Sequence, residues 1–232
     1  MATMANHNLS SAMQQGAKPG DTILFGVYPQ TADGQDRTPL QWLVLQNSDG
    51  ELFVLSEKIV DCRRYHGEHV GITWHECDLR RWLNETFYNA AFSAAEEKLI
   101  QTTHCTDNGE GSPDTEDKVF LLSVAEIKAF TDARDGSDTA VRRRTIGTEF
   151  ARAPKPDGCR LYVYDKGVEK DYTVENGQKL GCSWWWTRTQ MQIQDGRSAR
   201  AAFIGARSNI KSYGRVDLAY YGVRPALKLK LR

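Results

Sequence analysis

The chain is predicted to be an α+β domain, on three observations. Short strands rich in β-branched and aromatic residues open the folded part, helix-start signals crowd the middle, and the pattern beyond Pro154 returns to strands. Strand and helix do not alternate as they would in a parallel βαβ fold, and no repeat of about 20–50 residues is visible. Mixed or antiparallel sheets are therefore expected, with about three to four helices in the middle of the chain.

Strands are expected at 22–28, 41–46 and 51–55, the last two joined as a hairpin by Asn47-Ser-Asp-Gly50. Three capping boxes follow, Thr73-x-x-Glu76, Ser93-x-x-Glu96 and Ser123-x-x-Glu126, in which the hydroxyl caps a backbone N–H and the glutamate reaches back. After Thr73, Leu79, Trp82, Leu83 and Phe87 fall on one helical face and Arg80, Arg81 and Glu85 on the other. The second box opens a helix ending near Ile100, the third one over 124–130, and a short helix is expected at 148–153. Lys118-Val-Phe-Leu-Leu122 reads as a short buried strand, and 106–116 as an acidic loop. Further strands are expected at 160–164, 172–174, 183–187, 201–205, 215–221 and 226–231, with the first and last strands of the chain closing one sheet.

The chain has 232 residues, 40% hydrophobic and 26% charged, which fits one domain over 20–232 behind a disordered leader at 1–19. Thirty basic residues balance thirty acidic ones, but nine Lys or Arg and only Asp217 lie between Arg197 and Arg232. That stretch could draw an anionic ligand, or its cations could pair with the earlier acids across the fold. No run of about 18 apolar residues predicts a membrane span, and residues 1–20 contain no apolar signal core. The expected location is cytoplasmic or phage- or prophage-associated. Five cysteines at 62, 77, 105, 159 and 182 form no close pair, which favours free thiols.

Candidates for chemistry thin out on inspection. Cys62, His66, His69, His75 and Cys77 are zinc-type residues at a spacing that is not a standard ligand set. Cys182 has no base in its sequence neighbourhood to lower its pKa. The acidic residues Asp107, Asp114, Glu116 and Asp117 lack the spacing of a calcium loop, and Asp107-Asn-Gly-Glu-Gly111 is not followed by the Lys-Ser/Thr of a phosphate cradle. No catalytic residue, metal site or cofactor is assigned.

The C-terminal fifty residues carry the strongest signal. Trp184-Trp-Trp186 is costly to leave exposed, so at least one or two of these rings must anchor a core, with Arg188 and Arg224 beside them. Between them lies a segment rich in Arg, Ser, Asn, Tyr and Gly, a composition suited to adaptable contact. The candidate binding residues are Arg188, Arg197, Arg200, Phe203, Arg207, Asn209, Lys211, Tyr213, Arg215, Asp217 and Tyr221, in a display segment of about 184–227. Turns at Ser208-Asn209 and Tyr213-Gly214 would present Arg207, Asn209, Lys211 and Tyr213 on a loop surface.

Several ordered motifs resemble a bacterial family of domains without an assigned activity, common in gut Firmicutes. They are Gly20-Asp-Thr-Ile-Leu-Phe-Gly-x-Tyr28-Pro-Gln, Gln41-Trp-Leu-Val-Leu, Thr73-Trp74 with Leu79-Arg-x-Trp-Leu-Asn84, and Phe87-Tyr-x-x-Ala-Phe92. Lys118-Val-Phe-Leu-Leu-Ser123, Trp185-Trp-x-Arg188 and Gly222-Val-Arg-Pro-Ala-Leu227 complete the set. The ending is also similar to the C-type-lectin-like fold of sulfatase-modifying enzymes and of retroelement-diversified variable proteins. That resemblance implies a non-enzymatic module displaying a surface to a protein or glycan, in its strongest form one diversified by a retroelement. The alternatives are an enzyme of the formylglycine-generating type, working through Cys182 or His66, His69 and His75, and nucleic-acid binding through the basic C-terminal face.

Overall fold

The computed structural model describes residues 16–48, 50–131, 142–164, 172–175, 177–191 and 199–230. Of the predicted leader at 1–19, residues 1–15 lie outside them and residues 16–19 are described. Ala17 is already part of the core, and Asn47 Nδ2 donates to its carbonyl at 2.6 Å.

Strands β1 (Thr22–Val27), β2 (Pro39–Ser48) and β3 (Glu51–Ser56) form the antiparallel opening that the sequence pattern predicts. The β2–β3 hairpin turns through Gly50 at φ 79°, a conformation that glycine takes without a Cβ clash. The last strand, β13 (Ala226–Lys230), pairs antiparallel with β3, giving the order β1-β2-β3-β13. The first and last strands thus share one sheet, at its opposite edges.

The second sheet has the order β11-β10-β9-β12-β4. It is built from β4 (Asp61–Cys62), β9 (Trp185–Met191), β10 (Arg200–Ile204), β11 (Ile210–Arg215) and β12 (Gly222–Val223). Its ladders are antiparallel except β12 against β9, so the sheet is mixed. Two small hairpins stand outside: β5 (Thr103–Cys105) with β6 (Thr115–Asp117), and β7 (Tyr172–Glu175) with β8 (Gln178–Gly181).

The sheets meet where the chain crosses between them. Arg224, 2% exposed, donates from Nε to Ser56 O at 2.7 Å and from Nη1 to Arg142 O at 2.9 Å, and lies over the Trp185 ring. Burial pulls its pKa down to about 10. Residues of both sheets join one core cluster, so this is one α+β domain.

The helices fill the middle, as expected. α1 (Asp78–Trp82) runs through a π-helical turn (Leu83–Phe87) into α2 (Tyr88–Ala91), followed by α3 (Ala94–Glu97), α4 (Val124–Thr131) and α5 (Glu149–Arg152). The Ser93 and Ser123 boxes form with both reciprocal bonds. The Thr73 box does not start a helix. Residues 74–76 are a turn, and Cys77 Sγ accepts from Arg80 N instead, placing the N-terminus at Asp78. Arg80 is not simply solvent-facing either: its Nε donates to the buried carboxylate of Asp117 at 2.6 Å, beside Trp74 Nε1 and Thr115 Oγ1.

Three predicted strands are replaced, each because other groups take up their backbone. Residues 118–122 keep a single bridge, Phe120 to Ala226, while Asn84 Oδ1 accepts from Lys118 N and Val119 N, and Leu121 O accepts from Arg188 Nη1. Residues 160–164 keep one bridge, Val163 to Ser183; Arg160 N and Tyr162 N donate to Ala219 O and Tyr220 O. Residues 216–221 are consequently irregular, and the strand lies earlier, as β11. The predicted turn at Tyr213-Gly214 is therefore inside that strand.

Candidate ligand-binding face

Strand β9 sorts its side chains by period two. Trp185 points to one side, with Nε1 donating to Arg143 O at 2.9 Å. Trp186 and Arg188 lie on the other side. Trp186 is fully buried, stacked at 3.9 Å on Tyr221 and edge-on at 5.6 Å to Tyr65, with Nε1 on Arg63 O.

Arg188 is a structural hub. It is 1% exposed, and its guanidinium donates to Asn108 Oδ1, Leu121 O, Thr106 O and both oxygens of Glu126. Glu126 is the capping-box residue of α4, so one carboxylate caps a helix and neutralises the buried arginine. Asn108, buried in the predicted acidic loop, also donates to Cys105 O and Pro113 O. The expected binding role of Arg188 is corrected accordingly: its donors are saturated and water does not reach it. Phe203 and Tyr221, 2% and 3% exposed, are likewise interior rings rather than contact residues. Burial pushes the Tyr221 hydroxyl up to about 12.

The same side of the sheet opens at its other end. Trp184, half-buried, stacks on Tyr162 at 3.9 Å and packs on Phe203 at 5.5 Å, and Phe203 meets the edge of Tyr213 at 5.5 Å. Tyr213 is 54% exposed. Register explains its position. Between the pairs Ala201–Gly214 and Phe203–Lys211, β11 has one more residue than β10, a bulge that turns Tyr213 outward onto Phe203. Gly214 is obligatory beside it, because a Cβ there would lie 2.6 Å from Trp186 Cζ3 and 2.9 Å from Ala201 O. At the turn, Ser208 takes φ 65°, and the exposed Arg207 lies over the Tyr164 ring, with Nη2 donating to its hydroxyl at 2.7 Å.

Among the predicted candidates, Arg207, Asn209, Lys211 and Tyr213 gather on the turn and outer strand of the β10–β11 hairpin. Arg200 and Arg215 oppose each other at its far end, where Arg215 is held bidentately by Asp217. Arg215 thereby holds the Asp217 carboxyl below its usual range. Arg197 lies outside the described residues. Tyr162, Tyr164 and Trp184 are face residues that the candidate set omits. A signal for them exists: Tyr162 and Tyr164 are two apart and flank Val163, and Trp184 has the parity of Trp186.

The local charge is weaker than the sequence count implies. Arg224 is buried, Lys228 pairs with Glu51 at 2.9 Å, and Arg215 pairs with Asp217. Cys182 is fully buried, and among the described residues no group of three or more His, Cys, Asp or Glu could hold a metal. His69 and His75 are exposed, whereas Cys77 is buried as a helix cap. Two grooves, of about 550 and 450 Å³, lie elsewhere; their linings include Arg80, Tyr88 and Lys118 in one and Lys58 and Arg152 in the other. Among the described residues, no helix is long and apolar enough to cross a membrane.

Residues 49–231 match the family described as Domain of unknown function (DUF6273). The chain belongs to this family. No curated protein matches significantly, and no solved structure does. The DUF6273 match contains the whole second sheet, β3 and β13, and leaves out β1 and β2, which complete the first sheet.

Proposed function

We propose that this DUF6273 protein is a non-enzymatic binding module that presents the Trp184–Tyr213 face to a protein or glycan. One observation carries the reading: exposed Tyr213 and half-buried Trp184 and Tyr162 belong to one aromatic cluster, joined through buried Phe203, on the side of the sheet that Trp186 and Arg188 anchor and opposite Trp185. Rigid aromatic rings give contact area at low entropic cost, and Arg207, Asn209 and Lys211 supply adaptable hydrogen bonds around them. The grooves lie away from this face, which favours a broad ligand surface over a small molecule.

A C-type-lectin-like fold is the finer architectural reading, supported by terminal strands sharing one sheet and by a tryptophan core that precedes an irregular surface segment and the Gly222-Val-Arg224 strand. Diversification by a retroelement is its strongest form. It predicts, in the native genome, a neighbouring reverse-transcriptase gene and an imperfect copy of the 184–227 coding segment differing at adenines. Without both, diversification falls and plain binding stands.

The binding reading is tested by screening wild type and the Lys211→Ala/Tyr213→Ala double variant against a glycan array and a random-peptide display library. Ligands that bind wild type and lose at least about tenfold affinity in a stably folded double variant are expected. If every ligand recovered binds both proteins equally, this face is not the binding site.

A further inference from the structure

The 450 Å³ groove lies away from the aromatic face, between α5 and the β7–β8 hairpin, and carries an unusual arrangement of charge. Glu149 and Arg152 both line it and stand three residues apart on α5, a spacing at which opposite charges ordinarily pair. They do not pair, and among the described residues neither side chain meets another ionic or hydrogen-bonding partner. Arg152 Nε is shielded from solvent and lacks an acceptor. A buried donor left this way is costly, by the desolvation it suffers without compensation. The packing around Gly147 accommodates Arg152 where it is. Gly147 leaves room for its stem, since a Cβ there would lie 3.1 Å from Arg152 Cγ. The other cation of the groove, Lys58, is already committed to Glu175 across the rim. A narrow cleft sharing Gln30, Lys58 and Thr148 continues the groove to Glu57, whose Oε2 is also buried without a partner.

We infer that this groove is a small-ligand site for a zwitterion of amino-acid or dipeptide size, its carboxylate taken by Arg152 and its ammonium by Glu149. The guanidinium fork matches a carboxylate. A simple anion fits poorly, because Asp36, Glu149 and Glu175 outnumber Lys58 and Arg152 along the same walls. The volume lies in the range of small-molecule sites.

The test is a titration of the full chain with glycyl-glycine and L-serine, followed by amide chemical shifts at Gly147 and Thr148, with acetate and ethylamine as half-ligands. Saturable shifts are expected with at least one zwitterion, with each half-ligand at least about tenfold weaker. Arg152→Gln and Glu149→Gln should each lose at least about tenfold, Arg152→Lys should lose less, and Lys211→Ala on the aromatic face should bind as wild type. Absence of a saturable shift up to about 10 mM of either zwitterion overturns the proposal. So does acetate binding as tightly as glycyl-glycine, or an Arg152→Gln protein of wild-type affinity.

Discussion

Arg188 and Arg207 serve one sheet at opposite ends, and they differ in burial and in the groups that accept from them. Arg188 is 1% exposed and spends its donors on two side chains and two backbone carbonyls. Arg207 is exposed at the β10–β11 turn and lies along Tyr164. An arginine in an Arg-rich segment therefore says little about function until its acceptors are known. A deep guanidinium ties loop, helix and sheet together, whereas a rim guanidinium keeps contact with solvent. The comparison can be broken at four points, in order of expected size.

Removing Arg188 should have the largest effect. Arg188→Met strips Glu126 and Asn108 of their shared partner and leaves two carbonyls unsatisfied, with an expected loss of about 3 kcal/mol or more. Glu126 retains its bond from Ser123 N and partial exposure, which keeps the effect near the low end of the range for broken buried pairs. Arg207→Ala should change stability by less than about 0.5 kcal/mol. Urea unfolding of both variants checks the contrast, and equal midpoints would erase the distinction between a structural end and a display end.

Gly214→Ala acts at the boundary between the two ends. The added Cβ would press on Trp186 and on the Ala201 carbonyl, so an expected loss of about 1–3 kcal/mol follows from overpacking. Tryptophan fluorescence should report the same change as a shifted emission maximum. A silent substitution would mean that the Tyr213 bulge adapts freely and is not a rigid mount for that ring.

How far these two ends could be read beforehand depends on range of interaction. The hairpin at Gly50, the Ser93 and Ser123 boxes and the α+β class are local patterns, and they form as expected. The tryptophan triplet was legible as core for Trp185 and Trp186, whereas Trp184 reaches the surface. The absence of the strand predicted at 118–122 was not legible, because its backbone is taken up by Asn84 and Arg188 from distant sequence. The same holds for Arg188, whose acceptors lie 62–82 residues away along the chain. Residue type marked it as notable, and only tertiary acceptors decide between anchor and ligand contact. The bulge under Tyr213 depends on strand register, which alternation alone does not fix.

Ser123→Ala comes third. It removes the hydroxyl that accepts from Glu126 N at 3.1 Å, an N-cap loss of about 1 kcal/mol. Because Glu126 also holds Arg188, the change should be coupled to Arg188→Met: the double variant is expected to lose less than the sum of the singles. Strict additivity in a double-mutant cycle by urea unfolding would show that helix cap and buried arginine act independently.

The smallest effect concerns the far end of the hairpin, where Arg215 and Asp217 pair at 2.7 Å. The hydrogen bond from Arg215 holds the Asp217 carboxyl below its ordinary value, despite some opposing desolvation. A carboxylate with a depressed folded-state pKa contributes stability that is present above its unfolded value of about 3.9 and fades as pH falls through the folded one. Carboxyl NMR titration of wild type should therefore find Asp217 titrating below that value, and Arg215→Gln should move it upward. The unfolding midpoints of the two proteins should converge as the solution is acidified below the wild-type pKa. Since Arg215 is solvent-exposed, the difference at neutral pH should be slight and should shrink with added salt. An Asp217 that titrates identically in both proteins would mean that the pair is open in solution. Arg215 would then join Lys211 as an available cation, extending the display end along the whole outer strand.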